Sequence, residues 1–362
     1  MTLVVNRPKC YSFIKNSEQC SLFLIWQSKL VALLLVALSL MACNPSEPSQ
    51  HRTTLSGPIM GTDYRITVLL DNTQVYEDLE PQLIQVMESV NQSMSTYLSN
   101  SELSLLNQLP ESVPVDLSAS LLDVLNESLM ISELSDGAFD VTVGKAVSLW
   151  GFGPDGAIKK TPTEQEVELL KGSVGYQNLT LNGKSLTKTK PNMYIDLSAI
   201  AKGYAVDQVA NKLESFGIIN YLVDIGGELR ASGYSANNQQ WRIGIEKPHD
   251  LGGIQQIISL SGKSIATSGD YRNYHIIDGQ QFSHTIDSKT LKPVFHRLAL
   301  VSVVSDKAST ADALATAIMA MGESRGLTFA KDNELAVYMV IRESEKDQYS
   351  IEMTDEFVNY LQ

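Results

Sequence analysis

The stretch MYIDLSAIAKGYAVDQVANKLESFGIINYLVDIGG, residues 193 to 227, decides the fold class. Residues 193 to 197 read as a short strand that runs into a helix from about Ala199 to Phe216, with Gly217 as its C-terminal cap. Tyr221 opens a second strand, which ends at Gly226-Gly227. Working outward, residues 64 to 70 (YRITVLL) are β-rich, and residues 79 to 98 carry Leu83, Val86, Val90 and Met94 at helical spacing. Residues 121 to 134 read as another helix, and Asp140 is placed to cap a third over 141 to 149. Downstream, strand-like pieces at 241 to 245, 257 to 260, 275 to 277 and 298 to 304 precede a helix over 310 to 321, ended by Gly322. A last strand is expected over 336 to 341. Strands and helices mix without strict βαβ alternation, so the fold class is α+β.

The chain has 362 residues, enough for one large folding unit or two modest ones, and 43% of them are hydrophobic. Its formal net charge is -13 and it has no long basic block, which argues against phosphate-neutralising nucleic-acid binding. Cys10, Cys20 and Cys43 all precede residue 44, so the body lacks disulfides, thiolate ligands and a catalytic thiol. Arg7, Lys9, Lys15 and Lys29 precede an apolar run over 30 to 42, the pattern of a signal-peptide core rather than a membrane span. The run ends in Leu-Met-Ala-Cys, which resembles a bacterial lipoprotein cleavage site with Cys43 as the lipidated N-terminus. The expectation is a signal peptide over 1 to 42, a lipidated flexible tether over 43 to 55, and a single domain over 56 to 362. The product would be periplasmic and anchored to a membrane. After cleavage it would carry 24 basic against 40 acidic residues, a net -16.

Asp196 sits where a strand meets a helix start, and Lys202 follows in the first turn. Free N–H groups, the positive end of the helix dipole and a lysine together favour phosphate. Asp312 and Thr316 are spaced i, i+4 on one helix face, and both offer the hard oxygen that magnesium prefers.

These segments recur in an order that resembles the ApbE family of FAD:protein FMN transferases: Ile59-Met60-Gly61-Thr62, the stretch from Met94 to Asn107, SDGAFDVTVGKAVSLWGFG over 135 to 153, and Asp196 to Asp207. VDIGGELRASG at 223 to 233, IATSGDYRNY at 265 to 274, SHTID at 283 to 287 and ADALATA at 311 to 317 complete the series. The resemblance implies a two-lobed mixed fold of this family. It implies that Met60, Tyr97, Ala138, Phe139, Asp140, Asp196 and Lys202 line FAD, and that the Ala199 carbonyl, Asp312 and Thr316 hold Mg2+ at its pyrophosphate. Aromatic and thioether side chains suit a flat ring system. The implied reaction moves FMN from FAD, as substrate, to a threonine hydroxyl of an exported acceptor and releases AMP, with His284 as base and His275 second. The acceptors that the resemblance implies are membrane redox subunits of the sodium-pumping quinone reductase or Rnf type. Two other readings are an FAD pyrophosphatase that uses water and a flavin-holding lipoprotein without turnover. One departure stands out: where the family has Asp-Pro-x-x-Gly, this chain has Asp287-Ser288-Lys289-Thr290-Leu291, so the turn is expected to differ in shape.

Overall fold

A computed structural model describes residues 50–71, 78–248, 253–344 and 348–362. Its strands are β1 (Gln50–Ile59), β2 (Thr62–Asp71), β3 (Val115–Asp116), β4 (Leu179–Asn182), β5 (Ser185–Lys188), β6 (Tyr221–Ile225), β7 (Glu228–Ser232), β8 (Trp241–Glu246) and β9 (Ile254–Leu260). They continue with β10 (Lys263–Gly269), β11 (Tyr274–Ile277), β12 (Gln280–Ser283), β13 (Ile286–Asp287), β14 (Lys292–Pro293), β15 (Leu298–Ser305), β16 (Ala336–Arg342) and β17 (Tyr349–Met353). The helices are α1 (Leu79–Met94), α2 (Glu102–Gln108), α3 (Ala119–Leu134), α4 (Gly144–Leu149), α5 (Glu164–Glu168), α6 (Ala201–Ser215), α7 (Ala308–Asp332) and α8 (Asp355–Val358).

Eight strands form one sheet in the order β1-β2-β6-β7-β10-β15-β16-β17, and every neighbouring pair is antiparallel. Its faces follow the two-residue period of a strand. Val223, Val301, Val303, Val337 and Met339 turn to one face and pack with residues of α1, α6 and α7. Leu300, Val304, Tyr338 and Val340 turn to the other, where Trp241 and Ile258 of the β8–β9 hairpin and Phe357 of α8 cover them. Burial on both faces explains why β15 and β16 read as almost unbroken apolar runs. A third, smaller cluster of Ala146, Trp150, Val167, Ile286 and Leu291 joins α4 and α5 to the β13–β14 turn. The mixed α+β class is as the sequence predicts. The implied lobes are not separate bodies, because residues 50–362 form one compact unit.

Several boundaries differ from those read in the sequence. Gln50–Leu55 is not tether but the first half of β1, paired residue by residue with β2 from Gln50↔Asp71 to Leu55↔Ile66. The strand lies at the sheet edge, so its polar composition reflects exposure rather than lack of structure. Residues 1–49, with the expected signal peptide and Cys43, lie outside the described residues. Residues 193 to 197 form no strand beyond a single parallel bridge between Tyr194 and Val143. Asp140 does not cap α4, whose N-cap position is Val143 with no side-chain bond. Gly322 (φ 75°, ψ -179°) is non-helical and divides α7 into two helices, so the helix that starts at Ala308 ends there, as the sequence predicts.

Candidate functional site

The site begins where α6 meets α7. Neither Ile200 nor Lys307, the N-cap residues of these helices, offers a side-chain cap. Each helix start instead takes a carboxylate from the other helix. Asp207 of α6 accepts the N–H groups of Ala308 and Ser309, both at 3.0 Å, while Asp312 Oδ2 of α7 accepts the N–H of Gly203 at 3.1 Å. Charged capping of orphan N–H groups is among the stronger ways to fix a helix end. Glu127 of α3 adds a second clamp by accepting the Ser309 hydroxyl at 3.0 Å. The approach is close: a Cβ on Gly203 would lie 2.3 Å from the Ala308 carbonyl oxygen.

Lys202 stands beside this junction. Its Nζ donates to Glu228 Oε1 at 3.0 Å and lies 3.9 Å from Asp312 Oδ2. Burial alone would lower the Lys202 pKa, but the Asp312 and Glu228 carboxylates raise it well above that of a free lysine. Burial raises both carboxylates in turn against the pull of Lys202, with Glu228 pushed up to about 8. Among the described residues, Glu228 Oε2 is buried with no hydrogen-bond partner. Two buried carboxylates around one ammonium leave a place that a further cation would relieve. Thr316 projects one turn beyond Asp312, with its hydroxyl 3.4 Å from that of Ser268, and Ala199 lies in the turn before α6. Asp312, Thr316 and the Ala199 carbonyl are hard oxygen donors with a single charge among them. That set fits Mg2+ completed by water and substrate phosphate. Among the described residues no group of three His, Cys, Asp or Glu could hold a metal alone.

Further expected site residues lie on the β1–β2 hairpin and on the turns before α2 and α6. Met60 (φ 49°) and Gly61 (φ 75°) form the two-residue turn of the β1–β2 hairpin. The next residue, Thr62, packs on Gly226, whose missing Cβ would also touch Lys202 Cδ at 3.4 Å. Tyr97 is 64% exposed and its hydroxyl donates to the Phe152 carbonyl at 3.1 Å. Burial, and then the Asp196 charge, raise its pKa. Asp196 accepts the Ser198 N–H at 2.9 Å and so shapes the turn into α6.

The 138–140 segment behaves differently. Phe139 is 2% exposed and belongs to the main core. Asp140 accepts from Thr142 N, Thr142 Oγ1 and Tyr176 N, so it ties two loops together; burial raises its pKa despite those bonds. Ala138 is buried as well. Here the structure shows a frame, held against 194–196 by the Asp196 N–H to Val141 carbonyl bond at 2.8 Å.

His284 is half-buried, and its Nδ1 lies 3.0 Å from the Asn273 carbonyl. A carbonyl only accepts, so Nδ1 carries the proton and Nε2 keeps its lone pair. Burial lowers the His284 pKa below 6.5, and the positive charge of Lys202 acts in the same direction. The second histidine, His275, stacks on Phe152 with ring centroids 4.2 Å apart and its Nε2 bonded to the Gly151 carbonyl at 2.9 Å, an arrangement that suits a wall rather than a base. Glu228, Gly203, Asp207 and Phe152 were not singled out in the sequence. Buried charge at a Gly-Gly turn and a glycine inside a helix were the available signals.

A buried lysine between two carboxylates at a helix start, with hard-oxygen donors beside it, makes this the candidate site of an α+β domain for a phosphate-bearing ligand. Comparison with known proteins narrows this. The sequence model described as the ApbE family matches residues 60–339. The FAD:protein FMN transferase of Vibrio cholerae is 42% identical over 319 residues, 88% of this chain and 93% of that one. The Escherichia coli K12 protein of the same name is 35% identical over 341 residues, 91% and 97% of the two chains. The solved flavin transferase ApbE from Vibrio cholerae superposes with a TM-score of 0.80 at 41% identity, covering 86% of this chain and all of that one. The apo Pseudomonas stutzeri flavinyl transferase ApbE gives 0.80 at 32% identity, covering 86% and 97%. This chain belongs to the ApbE family.

Proposed function

We propose that the protein transfers FMN from FAD to a threonine hydroxyl of an exported acceptor protein. The observation that carries this reading is the convergence at the α6–α7 junction. Lys202, Asp312 and Thr316 gather where a pyrophosphate and Mg2+ would sit, next to a neutral histidine whose Nε2 is free to take a proton. Magnesium there would neutralise developing charge on the pyrophosphate. The threonine oxygen bonds to the FMN phosphorus as the P–O bond to the AMP phosphate breaks. His284 takes the hydroxyl proton, and AMP leaves with the bonding pair. Lys202 holds the diphosphate, and Tyr97 and Met60 flank the ring system.

The test is incubation of the protein with FAD, Mg2+ and the soluble domain of a sodium-pumping quinone reductase or Rnf subunit. A flavin-fluorescent acceptor band that needs magnesium is the expected result. Free FMN without a labelled band would instead make the protein an FAD pyrophosphatase, and neither product would leave flavin binding alone. Location forms part of the proposal: Cys43 would carry lipid and hold the domain at the periplasmic face of a membrane. Cys43→Ser is then expected to release the protein from the membrane fraction. Among the described residues no helix is long and apolar enough to cross a membrane.

A further inference from the structure

The face of the sheet away from α6 and α7 carries a second cleft of about 380 Å³, bounded by β1, β2 and β6 on one side and by β8 on the other. Its charged lining is Arg52, Arg65, Arg242 and Arg272 against Asp224 and Glu246. That is a local excess of two positive charges in a chain whose net charge is -13. Arg272 pairs with Glu246, and Arg242 Nε donates to Gln362 Oε1 at 2.8 Å. Arg52 and Arg65 are exposed, and among the described residues neither guanidinium donates a hydrogen bond, while the Arg65 charge acts on Asp224.

The spacing of these two arginines selects the ligand. Arg65 pairs with Ser56 across the β1–β2 ribbon, so Arg52 and Arg65 share a face four residues apart. At about 3.3 Å per residue the two positions are separated by about 13 Å. Set that far apart along the ribbon, the two arginines present positive charge along a line rather than at one point, and Arg65 and Arg272 offset the Asp224 charge between the walls. An extended chain with several carboxylates fits both facts.

The cleft and the reaction site share their backbone. Gly269, Tyr271 and Arg272 line the cleft, and the next carbonyl, that of Asn273, accepts from both Nδ1 and the backbone N–H of His284. Gly227 lines it too, held by a 3.0 Å bond to Asp224, while its neighbour Gly226 packs on Lys202. We propose that this cleft docks an extended acidic segment of the acceptor protein and so brings the acceptor's hydroxyl to His284. The inference rests on the transferase reading and adds the surface by which the acceptor is recognised.

The test uses the double variant Arg52→Glu, Arg65→Glu, which touches no residue of the FAD or metal site. A fluorescein-labelled acceptor domain is titrated with parent and variant, with poly-glutamate as competitor, and FMN transfer and FAD hydrolysis are measured alongside. The variant should bind the acceptor at least about tenfold more weakly and show a raised KM for it at similar kcat. Poly-glutamate should displace the acceptor from the parent, and added salt should weaken the parent more than the variant. FAD affinity and FMN release into water should stay at the parental level. Unchanged acceptor affinity in the variant, or a parent that does not bind the acceptor, overturns the docking site. A parent that binds through this cleft and labels nothing supports the docking site and overturns the transferase reading alone.

Discussion

At the scale of single residues, His284, the proposed base, has its tautomer set by a backbone contact. The Asn273 carbonyl fixes the tautomer, and burial with Lys202 lowers the pKa, so the ring stays neutral to lower pH than an ordinary histidine. A base must be unprotonated to act, so transfer should hold through neutrality and fall only as pH drops through a value below 6.5. His284→Ala should remove that acid limb from the pH profile and slow transfer at least about a hundredfold, with FAD affinity near parental. A parental rate in this variant would dismiss His284 as the base. Leu291 answers the expectation of an altered turn. It stands where the family has glycine and keeps a glycine-like φ of 58°, with its side chain 1% exposed against Trp150 and Ile286 and its carbonyl bonded to Trp150 Nε1 at 2.9 Å. A left-handed leucine costs about 1–2 kcal/mol, and truncating a buried leucine costs about 2–5 kcal/mol. Leu291→Gly should therefore be destabilising by roughly 1–3 kcal/mol net, read as a lower denaturant midpoint. The departure from Pro and Gly was visible in the sequence. The left-handed backbone at Leu291 was not, because only the packing of Leu291 shows what offsets the strain.

At the scale of elements, the proposed metal site rests on two helices that cap each other. Asp207 and Asp312 are separated by more than 100 residues, so no local pattern could reveal that each closes the other's helix start. The i, i+4 spacing of Asp312 and Thr316 was legible because it lies within one helix, and so was Lys202 in the first turn of α6. Gly203 was not legible, since a glycine inside a helix normally costs stability and gains meaning only from the Ala308 carbonyl against it. Gly203→Ala would place its methyl 2.3 Å from that oxygen and force the helices apart. The expected outcome is a magnesium requirement raised about tenfold or more together with a lower melting temperature. Asp207→Ala removes the acceptor of two helix N–H groups and one partner of Arg230, which also pairs with Glu214. A loss of about 2–4 kcal/mol is expected, checked by equilibrium unfolding. Glu127 should keep the start of α7 from fraying altogether.

At the scale of the whole molecule, one eight-stranded sheet carries the candidate site on its helical face and the arginine cleft on the other. The class of the fold was legible because β15, β16 and the flanking helices have strong apolar patterns, which survive any choice of strand order. The order itself was not, since β10 joins β7 and β15 across long connections and turn residues do not encode such pairing. The edge was misread for a related reason: β1 exposes alternate polar residues and therefore looks like a linker, so the domain was expected to begin at Ser56. Truncation separates the two boundaries. A chain beginning at Gln50 keeps the whole β1–β2 ladder, and its melting temperature should match that of a chain beginning at Cys43. A chain beginning at Ser56 loses the pairs from Gln50↔Asp71 to Leu55↔Ile66 and bares the outer edge of β2, along with the partly buried Leu55 that packs on the core. Losing several ladder bonds and part of one apolar side chain should cost about 2–5 kcal/mol and leave an unpaired edge prone to association. Arg52 goes with it, so on the docking proposal the shorter chain should also bind the acceptor less tightly. Equal melting temperatures for the two truncated chains would restore the tether boundary at residue 55 and remove β1 from the folded unit.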